Sequence, residues 1–223
     1  MKNRFRKFLS LVFFILVCNK LIFAQDKILY RLSARVSCTI PNPTSNAAFR
    51  KSFNGVYELN GSFNYHIFQS IGIGLVVKNG LFSVPMSHLG ELNTKAEINN
   101  WGGRFSYDHF FSDLTMFSAS LNIGKNFTKY TSVICAHPSN DPHKFSENYF
   151  EPELNIYFFI EKSLAFGVNI SEVIIGNSFD PYAICLNEFQ PFSTNELLGI
   201  TSYLNFGFNV YYGFVERKAK IKY

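Results

Sequence analysis

Arg31, Arg35, Glu58, Lys78, Arg104, Asp108, Glu151 and Glu153 fall among apolar residues, and their types invite chemistry. Glu151 and Glu153, one residue apart in ENYFEPELNIYFFIE, share a side of an extended chain, where paired carboxylates do acid and base work. Spacing alone does not make them a catalytic pair. The same carboxylates beside Arg31, Arg35 and Arg104 would form ion pairs, and buried charges persist only when paired or hydrated. A charge network is therefore the leading reading, ahead of a binding or catalytic cluster and a small-solute passage. His66, His88, His109, His137 and His143 lack metal-ligand spacing, so no metal is expected. His137 and Ser139 in HPS would suit a lipid hydrolase, but no acidic orienter can be placed for them. No phosphate-binding glycine loop is present, no cofactor is expected, and no catalytic residue is assigned.

The elements that position these charges alternate with period two. In LGITSYLNFGFNVYYGF (198–214), Leu198, Ile200, Leu204, Phe206, Phe208, Val210, Tyr212 and Phe214 share one side. Asn205, Gly207, Asn209, Tyr211 and Gly213 share the other. Eight such strands are predicted, at about 28–38, 54–67, 70–82, 98–110, 113–128, 147–160, 163–175 and 197–214. The links HIFQSIG, FFSDLTM and FIEKSLAF are tight, and they alternate with long polar links such as TIPNPTSNAAFRKS. That asymmetry predicts an all-β fold, an eight-stranded antiparallel transmembrane β-barrel with short periplasmic turns and long extracellular loops. Lipid solvates no backbone hydrogen-bonding group, so a membrane sheet must close on itself. Pro152 is expected to mark a bulge, because it cannot donate to a ladder. Tyr65, Phe110, Phe158, Phe166, Tyr212 and Phe214 suit an aromatic belt at the turn side, and Trp101 and Phe150 suit the loop side.

Residues 1–24 carry Lys2, Arg4, Arg6 and Lys7, an apolar run from Phe8 to Cys18, and Ala24 before Gln25, the layout of a secretory signal peptide. The barrel is then 25–214 and the polar tail 215–223. Removing residues 1–24 takes five of the 21 basic residues and none of the 16 acidic ones, leaving 16 against 16. The basicity belongs to the leader, and with it goes the electrostatic case for nucleic acid. Three cysteines remain, and Cys135 and Cys185, in the third and fourth long links, are the pair that could bridge, leaving Cys38 free.

FAQ at the signal end, the HIFQSIGIGL hairpin and the final strand FGFNVYYGF resemble the small eight-stranded outer-membrane β-barrel proteins of Bacteroidota, a broad group that includes PorT-like proteins. The resemblance implies that a terminal aromatic, Phe214 or Tyr223, guides insertion. It also implies an alternative role as an accessory component of a protein secretion system. The main expectation is a structural or surface-interaction barrel in the bacterial outer membrane, loops outward, touching outer-membrane lipid and a surface or secretion-system protein. A lipid-modifying enzyme is the weaker alternative.

Overall fold

The computed structural model describes residues 30–68, 70–84, 94–132, 143–188 and 191–216. Its strands are β1 (Tyr30–Ser45), β2 (Asn54–His66), β3 (Ile71–Ser83), β4 (Lys95–Phe110), β5 (Thr115–Thr131), β6 (His143–Phe159), β7 (Leu164–Ile175) and β8 (Thr201–Glu216). Each pairs antiparallel with its neighbour and β8 closes on β1, so no edge strand is left. Among the described residues, two short α-helices, α1 (Ala47–Ser52) and α2 (Thr194–Leu197), lie in long connections. The predicted signal peptide 1–24 lies outside the described residues, as do residues 217–223 of the predicted tail. Val215 and Glu216, assigned to the tail from sequence, belong to β8.

The register fixes the width. Partners run from Ala34 through Phe63, Leu75, Gly103, Ile123, Phe150, Ile174 and Ser202 back to β1 at Ser45. That return lies 11 positions beyond Ala34, one of them the irregularity between Pro43 and Ser45, which leaves a stagger of ten. With strands about 4.8 Å apart and a rise of about 3.3 Å per residue, this stagger tilts them by roughly 40° and sets a wall radius of roughly 8 Å. Side chains nearly fill so narrow a lumen. On the wall, Gly102 and Gly124 face each other as register partners, and a Cβ on Gly102 would lie 2.2 Å from the Ile123 carbonyl oxygen. Only glycine lets the backbones approach so closely there.

Alternation survives along most strands, with the oily side outward. Leu75 is 70% exposed and Phe208 73%, whereas Asn205, Asn209 and Tyr211 are buried. An exported soluble barrel carrying an apolar ligand would show the reverse arrangement. β1 runs well past the predicted end at residue 38, through IPNP. Its partners on β2 stop at Thr39, while its partners on β8 continue through Pro43. Pro41 and Pro43 thus sit where only one neighbour remains to be bonded. Pro152 makes no bulge. Its neighbours keep the same register with β7 on either side of it, and only the partners of Glu151 and Pro152 are missing from that ladder. β8 begins at Thr201 and not at 197, because α2 and Gly199, with φ of 101°, occupy the approach to it.

Candidate functional site: a charged lumen closed at both ends

Inward-facing positions of five strands bring seven of the predicted charges into the lumen, in two groups. Nearer the short turns, Arg35 on β1 donates from Nη2 to Asp108 Oδ2 on β4 at 2.5 Å and from Nη1 to Ser118 Oγ at 2.6 Å. Its guanidinium lies 5.5 Å from the ring centres of both Tyr157 and Tyr211. His66 Nε2 meets the same Asp108 oxygen at 2.6 Å.

The second group occupies mid-barrel. Arg104 grips Glu153 with both terminal nitrogens, at 2.8 and 2.9 Å. Such a fork is the strong form of the guanidinium–carboxylate pair. Asn122 donates to Glu151 at 2.9 Å and to Glu153 at 3.0 Å, tying the two carboxylates together. Lys78 bonds Glu151 and, at 3.1 Å, Glu58. Glu58 also accepts from Tyr203 Oη at 2.7 Å and from Asn205 Nδ2 at 2.8 Å. An amide chain continues the network as Asn155 donates to Glu153 and accepts from Asn169 and Asn209. The sequence flagged the charges and passed over these amides, although Asn205 and Asn209 alternate in phase along β8 and could have been counted as connectors.

Arg31 is a correction. It faces outward, donating from Nε to Tyr65 Oη at 2.8 Å, with its guanidinium 5.2 Å from that ring centre. Register irregularities between Tyr30 and Ser33 reverse the alternation there, turning Tyr30 inward over Gly213. A reversed phase at a strand end is what a bulge produces. Phe110 likewise leaves the predicted belt and packs inside against Phe159, with ring centres 5.2 Å apart.

Aromatic clusters close the polar middle at both ends. Tyr30, Met116, Tyr157, Phe159 and Tyr211 fill the turn end. At the loop end α1 sends Phe49 inward, with Phe53 following, against Phe82, Tyr130, Phe179 and Tyr203. Asn46 caps α1, its side chain accepting from the Phe49 amide at 2.9 Å. Lys51 on α1 pairs with Glu196 on α2, and this bond holds the Glu196 carboxyl below its usual range. The plug was missed because FRKS reads as polar, while the helix places only Ala48, Phe49 and Ser52 inside.

Chemically the lumen is committed to its own pairing. Glu58, Asp108, Glu151 and Glu153 are each at most 3% exposed and each meets a cation or His66. Among the described residues no group of three or more His, Cys, Asp or Glu side chains is arranged to hold a metal. Cys185 is disulfide-bonded and Cys38 is a free, exposed thiol, while Cys135 lies outside the described residues.

No protein-family model matches the sequence, and neither does any curated protein. Among solved structures the barrel matches Neisserial surface protein A with a TM-score of 0.53, at 9% identity, over 82% of this chain and 97% of that one. The fold is that of an outer-membrane barrel. Ail, the attachment invasion locus protein of Yersinia pestis, matches at 10% identity over 82% of this chain and 99% of its own, with a TM-score of 0.47. OprG of Pseudomonas aeruginosa matches at 12% identity over 84% and 98%, with a TM-score of 0.42.

Proposed function

We propose that this chain is a bacterial outer-membrane protein, exported by residues 1–24, that serves as a structural or surface-interaction barrel and neither conducts solutes nor turns over a substrate. One observation carries the reading: an apolar exterior surrounds a lumen that charge pairs fill and aromatic clusters close at both ends. The exterior suits lipid, and the closed interior leaves the long connections as the part that meets other molecules. Separating inner and outer membranes should place the mature chain in the outer one, and recovery from the soluble periplasm would overturn the membrane assignment. In planar bilayers the purified barrel should give no steady conductance; a stable open channel would overturn the closed-lumen reading. Unchanged secretion in a deletion strain agrees with the surface role, whereas broad loss of secreted cargo would replace it with the secretion-accessory one.

Cys185 sits in a left-handed backbone position after a short 3-10 turn, held by bonds from its amide to Pro181 and Tyr182 carbonyls. The partner proposed for it is Cys135, which would tie the third long connection to the fourth. Non-reducing peptide mapping should recover the 135–185 linked pair. Free thiols at both positions would remove the tie.

A further inference from the structure

Above the apolar exterior on the loop side, one sector of the outer wall is basic. Lys95 on β4, Lys125 and Lys129 on β5 and Lys144 on β6 occupy outward register positions. Glu97 is their acidic neighbour on the same face, 3.6 Å from Lys129. Asn99 and Asn148 complete the polar rim there. Because the mature sequence balances 16 basic against 16 acidic residues, four lysines to one glutamate is a local excess and not a property of the chain.

Two details point to an external anion. Lys129 and Lys144 are direct cross-strand partners, and like charges in that position repel. Glu97 lies on the opposite side of Lys129, on β4, so it does not stand between the two. Aromatic and apolar residues also interleave with the lysines. Trp101 is the register partner of Lys125, and Ile123 and Phe127 flank that lysine along β5. All three are more than 40% exposed. A lysine at this height lays its methylene stem along apolar surface and presents its ammonium at the head-group level.

We propose that the Lys95–Lys125–Lys129–Lys144 sector docks the phosphorylated head group of a membrane glycolipid in the leaflet at the loop end. Charge complementarity selects the head group, and continuity with the apolar wall selects a lipid over a soluble anion, since acyl chains would pack against Ile123, Trp101 and Phe150 directly beneath. The proposal rests on the membrane reading above, and the test separates the two.

Trp101, the single tryptophan of the chain, stands beside Lys125 and reports lipid at the site. The full-length mature barrel is folded into vesicles of neutral phosphatidylcholine containing a fraction of lipid A with brominated acyl chains, or of brominated phosphatidylcholine. Quenching of Trp101 is then titrated. Lipid A should be preferred at low salt by roughly fivefold or more, since each lysine near a charged surface supplies about that factor. The preference should fall toward unity in half-molar salt and in the triple variant Lys125→Gln, Lys129→Gln, Lys144→Gln. Folding of the variant is checked by its circular dichroism and its heat-dependent gel shift. Equal quenching by both lipids, or a preference that survives the triple substitution in a folded barrel, overturns the proposal. So does loss of the preference on adding millimolar inorganic phosphate, because that would indicate a simple anion site. Absence of quenching by either lipid would instead sink the membrane reading itself.

Discussion

Replacing Glu153 with glutamine is expected to destabilise the folded barrel by about 3–5 kcal/mol, the usual consequence of stranding one member of a buried ion pair. Glu153 accepts four hydrogen bonds: two from Arg104, one from Asn122 and one from Asn155. A glutamine keeps one acceptor oxygen and turns an NH2 group toward donors, so Arg104 loses its counter-charge in a lumen that is almost wholly shielded from water. Reversible urea unfolding in vesicles measures the change. Removing both charges together, as Arg104→Met with Glu153→Leu, should cost less than the sum of the two single changes, because no charge is then left alone. If Glu153→Gln instead folds with unchanged stability and abolishes a membrane-associated activity, the lumen performs chemistry and the structural account fails.

Legibility in the sequence followed the reach of the physics involved. Alternation is local, so the phase of Glu58, Lys78, Arg104, Asp108, Glu151 and Glu153 could be read without knowing any partner. Tight turns such as HIFQSIG are local as well, and all eight strands follow from those two signals. Pairing within the lumen is not local. Arg35 meets Asp108 73 positions away, and Tyr203 reaches Glu58 across 145. Those contacts depend on the stagger of the closed sheet, which no single strand encodes. Arg31 failed for a related reason, since the irregularity that turns it outward arises from its pairing with β8. The plug was hidden because six residues of helix in a polar connection carry too few apolar positions to stand out, and Phe49 gains meaning only from the open barrel mouth it fills.

Placing arginine at Phe206 is expected to destabilise the barrel by roughly 2–4 kcal/mol, the range for a cation facing lipid near the bilayer midplane. Phe206 is 60% exposed and its register partners are Ile40 on β1 and Ile170 on β7, both outward. In a water-soluble protein an exposed position of this kind tolerates substitution within about 0.5 kcal/mol. The size of the effect therefore distinguishes lipid from water as the solvent outside the wall. Leu198→Arg supplies the contrast. Leu198 is 65% exposed but precedes β8, on the loop side, where the same charge can reach head groups and water. Its expected cost is about 0–1 kcal/mol. Both variants should be unfolded reversibly in the same vesicles. Equal and small effects at the two positions would mean that water surrounds Phe206, and the membrane-spanning reading would fall; a large loss at Phe206 with a small one at Leu198 places the hydrocarbon beside the middle of β8 and the interface before its start.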